Sequence, residues 1–366
     1  MNNDNNSIEA PVKASGEYFL ELDSIRFLAF LLIFIHHTND VSIPLVSDIQ
    51  RIGWIGVDIF LCLSAFLLTR LLNLELKIHG KLSIGKFYVR RILRIWPLYF
   101  VYITFILAAT NIFGTAEINY TRFATLATFT DNIATALYGF NPILATGHLW
   151  TISYEEQFYL LLPFFVLLAV RLETYWSRRL VLVIVISIGL MTRKLLMTSN
   201  VSFQPAAWVL PITHFESVIA GILLAMNYRK LFGKKSLFVI LSITSFIVLW
   251  LFPDPEIDDL HVLISYPIVA IFSFSLIALV VTQTPGQSLL LRVIRYLGKI
   301  SYGLYVFHVL CLTLAYHFNP FRNIFFDSLI ALIACILFAA LSFEIFEKKF
   351  LKLKQRYGTL TGRTLI

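Results

Sequence analysis

Apolar runs long enough to cross a bilayer recur ten times between residues 18 and 343, and few of them carry a charge. A run of about 20 apolar residues crosses a membrane as a helix, because lipid leaves its backbone N–H and C=O groups no partner outside the segment. The runs are 18–38, 53–72, 92–113, 158–170, 180–196, 208–226, 237–252, 262–281, 300–317 and 323–343. The fourth is short and is expected to begin before Phe158. The chain is 58% hydrophobic and 14% charged, against roughly 45–50% and 25% for a soluble protein. The expected fold class is therefore all-α: a polytopic integral membrane protein with about ten transmembrane helices. The domain reading is a polar tail 1–17, one membrane domain 18–346 and a basic tail 347–366. No internal repeat or appended soluble domain is visible. The stretch 1–16 lacks a basic n-region and a small-residue cleavage site, so the first run is expected to stay as an uncleaved anchor.

Orientation follows from the distribution of Lys and Arg. With the N-terminus inside, 24 of the 30 fall on the inner side, and Arg51, Arg122, Arg193, Lys194 and Arg322 fall outside; Arg26 lies within the first run. The positive-inside rule then places both termini in the cytoplasm. The net charge of +8 reflects topology, and nucleic-acid binding is not expected. One outer loop is acidic (Asp254, Glu256, Asp258, Asp259), and the segment 114–157 is expected to fold back over the membrane surface. Cys62, Cys311 and Cys335 all sit in apolar runs without metal-ligand spacing; they read as packing residues, and no metal site is expected.

Ionisable groups inside spans are functional candidates, because burying them in lipid is costly. Arg26 and His37 are eleven residues apart in the first run. At about 100° per residue they share one helix face, ~16 Å apart along the axis. Asp58 lies in the second run, where it would pair with Arg26 or tune a catalytic histidine; Ser64, further along the run, reads as a packing residue or cavity liner. In KFYVRRILRIWPLYF, Arg90, Arg91 and Arg94 cluster on the inner side. Arg91 and Arg94 share a helix face, and guanidinium groups bind phosphate bidentately, so the cluster reads as a topology anchor or a phosphate clamp. In GHLWTISYEEQFYL, His148 precedes Glu155 and Glu156, and a carboxylate beside a histidine can fix its tautomer. Ser301, Tyr305 and His308 recur at i, i+4 and i+7, as one polar stripe lining a cavity. His214 and Glu216 enter from the outer side as a weaker signal.

These blocks, in this order, resemble the membrane acyltransferase 3 family, which includes bacterial O-antigen and exopolysaccharide O-acetylases and macrolide acylases. The resemblance covers residues 20–346. It is carried by the first-run Arg-to-His pair, GVDIFLCLSAFL, FYVRRILRIWPLY, HLWTISYEEQFYL and SYGLYVFH. The family's key histidine falls eleven residues after the arginine, which selects His37 over His36. The resemblance also implies that Arg91 and Arg94 belong to an arginine motif needed for activity. Two positions depart: Ala65 stands where the family usually has Gly, and His214 stands near a position that is commonly Arg. No soluble C-terminal domain of the kind some members carry is expected.

The expected activity is O-acyl transfer, most simply of acetyl, from a cytosolic acyl-CoA co-substrate to a hydroxyl of a cell-surface or secreted glycan, in a bacterial inner membrane and with no bound cofactor. His37 would be general base, oriented by Glu155 or Glu156. Arg26 would contact the donor or pair with Asp58, and Arg90, Arg91 and Arg94 would hold its phosphates. Asp58, Ser64, His148, Ser301, Tyr305 and His308 would line the cavity. A covalent route through Ser64 or Cys62 has no assigned base. The alternative from another class is a transporter or flippase for a glycan or lipid; paired halves with broken helices at matching positions, common in transporters, are not visible.

Overall fold

The computed structural model describes residues 19–40, 43–113, 119–172, 175–198, 203–252, 259–282 and 286–358, and every regular element among them is helical. In chain order the first helices are α1 (Glu21–His36), α2 (Pro44–Ile52), α3 (Ile55–His79) and α4 (Ile84–Phe113). Two short helices follow, α5 (Tyr120–Ala127) and α6 (Asp131–Tyr138), then α7 (Trp150–Arg171) and α8 (Tyr175–Met197). Next come α9 (Phe203–Val209), α10 (Glu216–Asn227), α11 (Lys235–Leu251) and α12 (Asp259–Val281). The last four are α13 (Leu289–Lys299), α14 (Ser301–Phe318), α15 (Ile324–Ser342) and α16 (Lys348–Gln355). The tail bearing Lys13, the acidic residues 254–258 and residues 359–366 lie outside the described residues, as do the side chains of Arg178, Arg179 and Asp259.

Among the described residues, five helices are long and apolar enough to cross a membrane: α3, most of α4, α7, the 263–281 part of α12, and the rod formed by α15 and α16. A sixth is added if α13 and α14, bent by 74° at their junction, count as one span. Helices stand at all ten apolar runs, and α7 begins eight residues before Phe158, earlier than its run, as expected. The sixth run, 208–226, departs: α9 ends at Val209 and α10 begins at Glu216. Pro211 lies in the break and has no N–H to continue a helical ladder. The outward faces expose large apolar side chains, such as Phe105, Phe164 and Leu337, as lipid-facing helices do. In α13, Leu289, Leu290, Val293 and Tyr296 are exposed, while Arg295 turns inward to pair with Glu21 of α1. That is the division of a helix lying in a membrane interface.

Small residues set the closest helix contacts. A Cβ at Gly221 of α10 would lie 2.2 Å from the Cys62 carbonyl oxygen of α3, and one at Gly298 of α13 would lie 1.7 Å from the Asp23 carbonyl oxygen of α1. Membrane helices lack a hydrophobic drive toward each other, so such backbone approaches carry much of the packing. Gly221→Val is therefore expected to destabilise by about 1–3 kcal/mol, the usual range for overpacking. Thermal unfolding in detergent checks this; an unchanged midpoint would mean that α10 does not approach α3 this closely.

Two charges read from the sequence as outer-loop residues are instead buried. Arg122, at the start of α5, donates to Asp131 Oδ1 at 3.2 Å and to the Gly139 carbonyl oxygen at 2.9 Å, tying α5 to α6. Burial pushes the Asp131 carboxyl above its ordinary value, against the lowering effect of Asn141 and Arg122. Arg193 of α8 has no exposed surface and pairs with Glu216 Oε1 at 2.5 Å. Both are internal ties between segments rather than topology signals.

Candidate active site

Five helices enclose one cavity. Arg26 and Ile33 face it from α1; Phe60, Leu61 and Ser64 from α3; Arg91 and Arg94 from α4; Thr151, Glu155 and Tyr159 from α7; Ser301, Tyr302 and Tyr305 from α14. Within each helix these positions are linked by steps of three, four or seven, with Phe60–Leu61 and Ser301–Tyr302 adjacent, so each helix presents one stripe. The space amounts to about 850 Å³ with its open mouth included.

One end is cationic. Arg26 Nη1 lies 2.6 Å from Asp23 Oδ1, one turn back on α1. Arg91 and Arg94 also face the space, without an ion-pair partner among the described residues, and Arg91 Nε is buried with no hydrogen-bond partner. Arg90 departs from the expectation of three donor-binding arginines. It points away from the cavity, donating to the Tyr357 carbonyl oxygen at 2.9 Å and standing 3.6 Å from Glu75 Oε2. The cause is register: Arg90 is one residue, about 100°, off the Arg91 face.

The two glutamates separate in the same way. Glu155 faces the cavity and accepts a hydrogen bond from Tyr159, one turn on, beside Ser64. Glu156 turns to α4, where Trp96 Nε1 donates to its Oε2 at 3.1 Å, leaving Oε1 buried without a partner. Neither carboxylate pairs with His37, so the expected carboxylate–histidine partnership is not formed.

The imidazoles cluster beyond the other end of the cavity. His37 caps α1 one turn past Ile33 and is exposed. Its Nδ1 lies 2.9 Å from the Ile33 carbonyl oxygen and 3.3 Å from His308 Nε2. His308 Nδ1 in turn lies 2.6 Å from the Tyr305 carbonyl oxygen. A carbonyl only accepts, so each Nδ1 carries the hydrogen, and a neutral ring then keeps its lone pair on Nε2. His37 thus presents a free basic nitrogen, and its Nδ1–H is held by a carbonyl and a second imidazole where a carboxylate was expected. His308 and His148 are fully or almost fully buried, with ring centroids 4.7 Å apart, and neither lines the cavity directly. Tyr305 links the cluster to the cavity: its hydroxyl donates to the His148 carbonyl oxygen at 2.8 Å and lies 2.5 Å from Thr151 Oγ1. No group of three or more His, Cys, Asp or Glu side chains among the described residues is arranged to hold a metal ion.

Asp58 neither lines the cavity nor pairs with Arg26. It faces α10, where Oδ1 lies 2.9 Å from His214 Nε2 and 2.5 Å from Ser217 Oγ. His214 Nδ1 lies 3.0 Å from the Trp208 carbonyl oxygen, so its other nitrogen meets the carboxylate and the pair shares one proton. The ring is sandwiched between Trp208 and Tyr266, with centroids at 4.4 and 4.3 Å. Stacked aromatic faces favour a cation, which suits a position where arginine is common in the family the chain resembles. Thr151, Tyr159 and Tyr302 were not singled out by the sequence, although Tyr159 stands one turn from Glu155.

The cavity thus has the Arg91 and Arg94 guanidinium groups at one end and an accessible imidazole lone pair beyond the other. The model of the acyltransferase domain family matches residues 19–346, and the chain belongs to that family. It is 29% identical over 186 residues to the peptidoglycan O-acetyltransferase OatA of Listeria monocytogenes, covering 49% of this chain and 28% of that protein. It is 27% identical over 316 residues to the O-acetyltransferase OatA of Staphylococcus aureus, covering 80% of this chain and 50% of that protein. The chain thus spans half the length or less of these two relatives. No solved structure matches it.

Proposed function

We propose that the protein is a membrane O-acyltransferase that moves an acyl group, most simply acetyl, from acyl-CoA at the cytoplasmic side to a hydroxyl of a glycan. The observation that carries the reading is the polarity of α1: Arg26, with Arg91 and Arg94 across the cavity, lies ~16 Å along the axis from His37. Phosphates at the arginine end and a thioester near the histidine suit a donor whose two ends are joined by a long arm. In the reaction, His37 Nε2 takes the proton of the acceptor hydroxyl as its oxygen attacks the thioester carbonyl carbon. The C–S bond then breaks, the thiolate takes a proton from the imidazolium, and an ester and free CoA result. Ile33 and His308 hold the Nδ1–H throughout. The family membership and the names of the relatives support acetyl as the group and a cell-wall or surface glycan as the acceptor. Ten crossings, both termini cytoplasmic and residence in a bacterial inner membrane belong to the same proposal; the bias of Lys and Arg supports them.

The test is transfer of radiolabel from acetyl-CoA to a glycan extract by the purified full-length protein. Arg91→Ala is expected to raise KM for acetyl-CoA about tenfold, since hydrogen bonds to charged groups are worth roughly 1.5–3 kcal/mol. Movement of glycan across proteoliposomes without label transfer would replace this reading with transport.

A further inference from the structure

We propose that Lys354, on the C-terminal helix α16, is an anion-binding residue of the donor site that acts with Arg91 and Arg94 on the phosphates of the acyl donor. The inference rests on the donor reading above and extends it to a helix outside the cavity's own lining. Lys354 is 4% exposed, and its Nζ is buried with no hydrogen-bond partner. The largest charge effects on it come from Arg91, Arg94, Arg90 and Arg26, all cations. The carboxylates near this cluster bear on its arginines rather than on Lys354: Asp23 pairs with Arg26, Glu75 with Arg90, Glu347 acts on Arg94 while accepting from the Ser342 hydroxyl at 3.3 Å, and Glu155 and Glu156 act on Arg91.

The chain delivers the ammonium there by fixed ties. α16 continues α15 through a π-helical turn at Phe343–Glu347 and packs along α4, the helix of the three arginines. Arg90 clasps the end of α16 through the Tyr357 carbonyl oxygen. Arg90, which does not reach the cavity, thereby gains a role as the residue that positions α16. An unpaired ammonium buried beside two guanidinium groups that make no contact ion pair suffers like-charge repulsion that the more distant carboxylates offset only in part. A multiply charged anion relieves all three at once. Two arginines supply planar forks and a lysine supplies a point charge, a combination suited to phosphate groups.

The experiment measures CoA and pantetheine binding to purified wild-type, K354M, K354Q and K354R proteins, together with ligand-free thermal midpoints. Loss of the charge in K354M and K354Q is expected to weaken CoA binding about tenfold. Pantetheine, which lacks the phosphates, should bind all four proteins alike, and K354R should stay near wild type. The ligand-free midpoint of K354M should equal or exceed that of wild type, because an apolar side chain replaces a buried unpaired cation. Wild-type CoA affinity in K354M and K354Q would overturn the role of Lys354 alone. Equal losses for CoA and pantetheine would also overturn it. No CoA binding by the wild type would overturn the donor reading, and Lys354 with it.

Discussion

His37→Ala is expected to lower the rate of acyl transfer by about 10²–10⁴-fold, the usual contribution of a positioned general base, while leaving CoA affinity within about twofold because the arginines lie at the other end of the cavity. The prediction follows from hydrogen-bond accounting. Nδ1 of His37 faces the Ile33 carbonyl oxygen and His308, so the lone pair sits on Nε2 of an exposed ring. His36, adjacent in sequence, uses its Nδ1 on the Gln50 carbonyl oxygen of α2 at 2.8 Å and lies about 100° round the helix from His37, so His36→Ala should retain most activity. His308→Ala should cost less than His37→Ala, because the Ile33 carbonyl still holds the Nδ1–H. Label transfer and CoA binding, measured on the same preparations, check all three. Equal transfer by His37→Ala and wild type would remove the base from the mechanism.

Helical periodicity is a local signal, and the legible and illegible parts of this molecule divide along that line. The sharing of one face by Arg26 and His37, by Arg91 and Arg94, and by Ser301 and Tyr305 follows from 3.6 residues per turn. All of these but His37 line the cavity. What periodicity cannot supply is the element packed opposite. For Asp58 the sequence leaves two readings, a pair with Arg26 or a partner that tunes a catalytic histidine; α3 turns that face to α10 and His214, which does not line the cavity. Glu155 and Glu156 are adjacent, so a rotation of about 100° sends one to the cavity and the other to Trp96. Lys354 looked like one of six basic residues in a tail, since its burial depends on how the rod of α15 and α16 folds against α4. The break between α9 and α10 has visible markers in Pro211 and the polar residues Thr213, His214, Glu216 and Ser217, but the apolar stretches on both sides make the run read as one span.

Arg193→Leu is expected to cost about 3–5 kcal/mol of stability, the penalty for breaking a buried ion pair by removing one partner. Arg193 Nη2 holds Glu216 Oε1 at 2.5 Å, its Nε donates to the Thr213 carbonyl oxygen at 2.5 Å, and its guanidinium lies 4.9 Å from the centre of the Tyr266 ring. Those contacts fix the chain between α9 and α10, where the helical ladder is interrupted and backbone groups need other partners. The same short segment carries His214, which holds Asp58 of α3, and the Tyr154 hydroxyl of α7 donates to the His214 carbonyl oxygen. Loss of Arg193 therefore leaves the Glu216 carboxylate uncompensated and loosens the corner that joins α8, α10, α3 and α7. The double variant Arg193→Leu/Glu216→Leu removes both charges and should recover most of the loss, since a buried ion pair is seldom better than a packed apolar pair. Unfolding midpoints in detergent for the two variants distinguish the causes. A double variant as unstable as Arg193→Leu would assign the cost to the Thr213 carbonyl and the Tyr266 ring rather than to the charge pair. A fully stable Arg193→Leu would mean that this arginine does not hold the broken helix together.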